Sequence, residues 1–207
     1  MNWISFFVKR NYLLFKAKFQ KEDKIGSADT YRYKWSRIEK YRKSCNVSIF
    51  IETGTYYGLT VSKFNNCFEK IYSIEVDKSL FDYNKKLFKN STNISILFGD
   101  SKERLPEVLN LITRENEGII NVLFWLDGHC SEGETGIGDE YSPLIKELNS
   151  IFEHLYRIKP VIIIDDVRLF DGVNYPTLNS IKKLFDNFNF NLIIDGDGLV
   201  CLDPSFK

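Results

Sequence analysis

The sequence predicts an α/β domain built on a mostly parallel seven-stranded sheet, closed by a C-terminal antiparallel hairpin and preceded by an N-terminal helical extension. Three observations carry that expectation. From Val47 onward, short apolar runs alternate with helix-length polar stretches, which is the rhythm of βαβ units. Each of the first five apolar runs ends in, or is followed at once by, an acid or a Gly-Asp pair. The chain closes with two apolar runs, Phe188–Ile194 and Leu199–Leu202, joined by the turn Asp195-Gly196-Asp197-Gly198.

Residues 2–21 set Trp3, Phe6, Phe7, Leu13 and Leu14 among basic residues in a partly helical rhythm and read as a helix. A break at Lys24-Ile25-Gly26-Ser27 separates it from a second helix near 28–44, for which Ser27 is the expected N-cap. Strands are then expected at 47–52, 70–76, 94–98, 119–126 and 160–165. Helices are expected at 58–68, 78–90, 101–116, 141–157 and, before the hairpin, 176–187. The division that follows is a basic helical extension over 1–46 and the α/β domain over 47–207.

A chain of 207 residues suffices for one well-cored domain, and its 17 Phe and 11 Tyr suit a packed interior rather than a disordered chain. Net charge is zero, which offers no general case for nucleic acid. Charge is unevenly placed, however. Residues 1–46 hold 12 Lys/Arg against four acids, whereas the remainder holds 16 against 24, so a +8 arm is joined to a −8 body. Cys45, Cys67, Cys130 and Cys201 show no CxxC pairing, which fits a reducing compartment. The apolar run Ile4–Val8 is too short for a secretory signal, and no stretch approaches the roughly 18 apolar residues of a membrane span. The expected location is the cytoplasm. The first helix, with aromatic residues beside Lys9, Arg10, Lys16 and Lys18, suits peripheral contact with the inner face of a membrane. It equally suits a helix laid over the domain, or a homo-oligomer contact.

Five segments carry the chemistry. The first, Ile49-Phe50-Ile51-Glu52-Thr53-Gly54-Thr55-Tyr56-Tyr57-Gly58, is a strand running into an acid, two glycines and a helix. Gly54 permits close approach of backbone to a ligand, and Gly58 opens a helix whose N–H groups face the crevice. The second, Ile71–Asp77, ends in acids 23 residues after Glu52, where Glu75 can accept the hydroxyl protons of a ribose and Asp77 suits a helix N-cap. The third, Ile96-Leu97-Phe98-Gly99-Asp100-Ser101, again delivers an acid, with Asp100 also fit to be an N-cap. The fourth, Leu123–His129, brings Asp127 and His129 to a Gly-rich loop over 131–138, well placed as a substrate lid. A neutral His129 can take a proton from a substrate hydroxyl near neutral pH. His154 reads as a packing or surface residue. The fifth, Pro160–Arg168, is a greasy strand ending in Asp165-Asp166. Two buried acids need partners, either Arg168 and helix ends or, with Asp127 on the neighbouring strand, a hard divalent cation such as Mg²⁺.

The five segments in this order, with the terminal hairpin, resemble the class I S-adenosylmethionine-dependent methyltransferases over residues 48–203. Tyr56 stands where that family usually carries its middle glycine. The resemblance implies a Rossmann-like domain with S-adenosylmethionine held by Glu52, Thr53, Gly54, Thr55, Gly58, Glu75, Asp100, Ser101 and Asp127. It implies an adenine contact from Asp100 and a ribose contact from Glu75. Closer likeness to metal-dependent O-methyltransferases implies Asp127, Asp165 and Asp166 as ligands of Mg²⁺, with His129 and Asp127 catalytic. The segments Trp125–His129, Ile164–Phe170 and Tyr175-Pro176 look like methyltransferases of surface-polysaccharide tailoring, which implies methylation of a hydroxyl on a small-molecule or glycan acceptor. A metal-dependent nucleotide-sugar glycosyltransferase and a non-catalytic binding module are the competing readings. Survival of the strand-end acids argues against the second of these.

Overall fold

A computed structural model describes residues 3–19, 29–127, 142–173 and 175–206. Two helices lead: α1, Trp3–Phe19, and α2, Tyr31–Ser44. Then come β1 (Ile49–Thr53), α3 (Leu59–Phe64), β2 (Lys70–Glu75), α4 (Lys78–Leu87), β3 (Ile94–Phe98) and α5 (Ser101–Glu115). The second half runs β4 (Ile120–Leu126), α6 (Leu144–Phe152), β5 (Ile158–Ile164), a short 3-10 turn (Val167–Leu169), α7 (Leu178–Phe185), β6 (Asn191–Asp195) and β7 (Gly198–Leu202).

The seven strands form one sheet in the order β3-β2-β1-β4-β5-β7-β6. The first five are parallel, β7 runs antiparallel to β5, and β6 pairs antiparallel with β7. Helices cover both faces, so the central strands are buried at nearly every position, mostly by apolar residues. Period-two geometry sorts those residues. Ile49, Ile51, Val122, Phe124, Leu126, Ile162 and Ile164 join α5, α6 and α7 in one core cluster. Phe50, Leu123, Trp125, Val161 and Ile163 join Ile38 and Tyr41 of α2, and Val61 and Phe64 of α3, in the other. Ile38, Tyr41 and Cys45, within the segment set apart in sequence as an extension, are therefore packed against the sheet.

The expected sheet and hairpin are present, and the differences lie at element ends. Helix α2 begins at Tyr31, capped by Thr30, whose Oγ1 accepts from the Tyr33 N–H at 3.2 Å. Ser27, the expected cap, lies outside the described residues. Asp29 is occupied otherwise: its carboxylate accepts from the Arg37 guanidinium and from the Asp197 N–H in the hairpin turn. Thr30→Ala should lower stability by about 1 kcal/mol, the usual loss on removing a helix cap, measured as a shift in the urea midpoint. Helix α6 is shorter than expected because the chain after Phe152 tightens into i→i+3 turns, with His154 N–H donating to Ile151 O and Arg157 N–H to His154 O. His154 is buried, its Nδ1 2.8 Å from Ser150 O, as a packing residue should be. Strand β6 starts at Asn191 rather than Phe188. Phe188 and Phe190 instead cluster with Phe152, their ring centroids 4.5 and 6.3 Å from it.

Candidate active site

Parallel strands in this order reverse direction of travel between β1 and β4, and ligands in open α/β sheets bind at the carboxyl ends flanking such a point. The loop after β1 is shaped by packing. Gly54 has φ +88°, and a Cβ there would stand 2.6 Å from the carbonyl oxygen of Asp127, so the close approach it permits is to the end of β4. Gly58, with φ +66°, caps α3 without a side chain and fits under Asn84 and Phe88. Between them Tyr56 takes φ +50°, the left-handed conformation that suits a glycine. Its backbone is held on both sides: the N–H donates to Glu75 Oε2 at 2.7 Å, and Asn84 Nδ2 donates to its carbonyl at 2.6 Å.

Glu52 is buried, and its Oε2 accepts from the Ser73 hydroxyl at 2.7 Å, which in turn lies 2.7 Å from Thr55 Oγ1. Burial pushes its carboxyl up to about 8, against the pull of Ser73 and with Asp127 adding to the rise. Glu75, at the end of β2, accepts the N–H groups of Tyr56 and Asp77 at 2.7 and 2.8 Å. The Val76 N–H is a third backbone donor near the same carboxylate, whose two oxygens offer about four acceptor sites in all. Burial outweighs those donors and raises Glu75 to about 7. Asp77 caps α4 through the Ser79 and Leu80 N–H groups, and Asp100 caps α5 through the Lys102 N–H.

Sequence reasoning missed Glu147. It sits on α6 yet is only 1% exposed, beside Thr53, Ser101, Asp100 and Asp127, and its Oε1 meets no donor among the described residues. Burial raises it to about 7, with the Ser101 and Thr53 hydroxyls restraining the rise. An acid at an i, i+3, i+4 position facing the core side, between Leu144 and Leu148, was the available signal.

Asp127, Asp165 and Asp166 come together as expected, each offering an oxygen within 4.8 Å of the others. They line one pocket with Glu147, Phe170 and Tyr175. Asp166 has φ +57° and accepts from Arg168 Nη1 at 2.5 Å. The second unanticipated group is Lys34, which α2 delivers into an ion pair with Asp165 and to within 3.5 Å of Asp166. Burial works against its charge, but Asp165, Asp127 and Asp166 outweigh that and hold the ammonium protonated. Burial and the repulsion of Asp127 push the Asp165 carboxyl up, with Lys34 opposing. Tyr31, also on α2, is held in its phenol form by burial and by the carboxylates of Asp127, Glu52 and Asp165. Nothing in the alternation pattern marks Tyr31 or Lys34, because α2 lies far from these acids in sequence. His129, Gly128 and the loop over 131–138 lie outside the described residues.

Neither a protein-family model nor a curated protein matches the sequence. Solved structures do match. The O-methyltransferase TomG of Streptomyces achromogenes, solved in complex with SAM, aligns over 96% of this chain and 89% of its own, with TM-score 0.55 and 12% identity. The methyltransferase domain of bacterial CtHen1-CN aligns over 83% of this chain and 98% of its own, with TM-score 0.52 and 16% identity. The N-methyltransferase NodS of Bradyrhizobium japonicum WM9 aligns over 83% and 95%, with TM-score 0.50 and 10% identity. The fold is that of the class I methyltransferases.

Proposed function

We propose that this chain is an S-adenosylmethionine-dependent O-methyltransferase whose acceptor is a hydroxyl of a sugar or surface-polysaccharide precursor. The observation that carries the methyltransferase reading is the row of acids Glu52, Glu75, Asp100 and Asp127 at the ends of β1, β2, β3 and β4, with Glu147 behind them. Lys34 and Lys102 answer Asp165 and Asp100, whereas Glu52, Glu75 and Glu147 are held by hydroxyl and backbone donors, which suits a ligand that brings a sulfonium and an ammonium. On this reading Glu75 accepts from the ribose hydroxyls through its remaining lone pairs, and Asp100 and Ser101 flank the adenine. Glu52, Asp127 and Glu147 line the same crevice, and the two glutamates, raised by burial, would ionise as a cationic ligand enters. Bound there, S-adenosylmethionine supplies the electrophilic methyl group. The acceptor hydroxyl would have to give up one proton as it takes that group. We assign that proton to His129, oriented by Asp127, so the protein contributes positioning and proton removal.

Asp127, Asp165 and Asp166 fit a divalent cation by donor chemistry: three hard oxygen ligands close together, with Asp165 Oδ1 meeting no hydrogen-bond donor among the described residues. Mg²⁺ held there would draw acceptor oxygens together and acidify the reacting hydroxyl. Lys34 already pairs with Asp165 through Oδ2 and would compete with the ion for that carboxylate. The polysaccharide acceptor rests on the sequence likeness of Trp125–His129 and Ile164–Phe170.

Titration calorimetry against S-adenosylhomocysteine and UDP-sugars tests the reading. Saturable binding of S-adenosylhomocysteine alone is expected. Binding of a UDP-sugar in its place would move the protein to the glycosyltransferases.

A further inference from the structure

Helix α1 has two faces of different fate. One is spent on the domain: Phe6 and Ala17 are buried, and Leu13 and Leu14 are partly so. Phe6 stacks on Tyr83 at 5.2 Å, Trp3 packs on the same ring at 4.7 Å, and Arg10 Nη2 donates to Ser62 Oγ at 2.6 Å. The helix is thereby fixed to the body over α3 and α4.

The opposite face is apolar and exposed among the described residues. Ile4, Val8, Tyr12, Phe15 and Phe19 are each at least 61% exposed, and their spacing of four, four, three and four residues places them in one stripe along the helix. Phe7, 48% exposed, widens it. An amphipathic helix of an isolated domain turns its apolar stripe inward; here apolar side chains are turned both ways. Lys16 and Lys18 are exposed along the helix with them, Lys9 sits over the Tyr57 ring, and the helix sequence contains no acid.

We propose that α1 docks the protein on an anionic lipid bilayer, with the stripe of Ile4, Val8, Tyr12, Phe15 and Phe19 entering the headgroup boundary. The charge on the helix selects this occupant over a second copy of the chain. Two copies meeting through the stripe would bring lysines against lysines with no carboxylate on either helix, whereas anionic headgroups supply the missing sign. The mixture of Phe and Tyr with flanking Lys is that of a helix lying in the interface plane. At about 1.5 Å per residue, 17 residues make roughly 25 Å, so the whole helix can lie flat on the surface. No helix among the described residues is long and apolar enough to cross a membrane. The inference is independent of the methyltransferase reading.

Co-sedimentation of the full chain with phosphatidylcholine vesicles containing phosphatidylglycerol, against phosphatidylcholine alone, tests it. The protein is expected to pellet with the anionic vesicles at low salt and to be released as ionic strength rises, since exposed charges are screened beyond about 8 Å at 0.15 M. The double variant Phe15→Ser/Phe19→Ser should lose at least tenfold in vesicle affinity with its thermal midpoint unchanged, because both rings are exposed. Lys16→Glu/Lys18→Glu should abolish the preference for anionic lipid. Wild-type protein that stays in the supernatant with anionic vesicles at low salt overturns the proposal. So does a dimer in sedimentation equilibrium that Phe15→Ser/Phe19→Ser dissociates, if no vesicle binding accompanies it.

Discussion

Replacing Asp165 by asparagine is expected to reduce methyl transfer at least a hundredfold while leaving affinity for S-adenosylhomocysteine within a factor of three. The side chain is shared by two roles in the structure. It is the partner of Lys34 and one of three acids whose oxygens gather within 4.8 Å. Asparagine keeps the shape and removes the charge, so a divalent ion loses one of its three hard anionic ligands and Lys34 loses its counter-ion. Wild-type turnover should likewise fall in EDTA and return with Mg²⁺ or Mn²⁺. Manganese binding, read by electron paramagnetic resonance, should be tighter in Lys34→Met than in wild type, because the ammonium no longer competes for Asp165. Full wild-type activity in EDTA, with no manganese bound, would leave Lys34 as the resident cation and His129 as the principal catalytic group.

The second large effect is on the cofactor. Glu75→Ala should weaken S-adenosylhomocysteine binding by about 1.5–3 kcal/mol, the scale of a lost hydrogen bond to a charged group, or roughly tenfold to a hundredfold. The same carboxylate accepts the N–H of Tyr56, a non-glycine residue held at φ +50°, so the alanine variant also loosens the turn after β1. Glu75→Gln separates the two contributions. It keeps one acceptor oxygen for a backbone donor or for the ribose, and its loss of affinity should be milder. Calorimetry on folded variants decides the matter, and unchanged affinity in Glu75→Ala would remove this residue from the cofactor site.

Much of this was legible before any coordinates. The βαβ rhythm, the terminal hairpin and the position of Asp77 as a cap all follow from local pattern, because each depends on neighbours a few residues away. The gathering of Asp127, Asp165 and Asp166 follows from the register of adjacent parallel strands, where Leu126 pairs with Ile164. What escaped was contributed across sequence distance. Lys34 and Asp165 are 131 residues apart, and only the packing of α2 against the sheet joins them. Glu147 was assigned no role from the sequence, and its burial depends on how α6 lies against α5. The glycines at 54 and 58 were read as serving a ligand, whereas the surfaces they immediately accommodate are the Asp127 carbonyl and the Asn84 and Phe88 side chains.

On the proposed function, the buried acids of the crevice would make ligand binding a proton-exchange reaction. Glu52, Glu75 and Glu147 are raised to about 8, 7 and 7 by burial, which favours their protonated forms near neutral pH. A carboxyl raised in this way binds more protons folded than unfolded. Its contribution to stability is fully present below the unfolded value near 4.3 and is lost as pH rises through 7 to 8. A cationic ligand entering among these groups favours their ionised forms and expels protons into solution. The heat of S-adenosylmethionine binding near pH 7 should therefore depend on the ionisation enthalpy of the buffer, with proton release that shrinks in Glu147→Gln. The crevice would thus act as a proton store, discharged when its cationic ligand arrives.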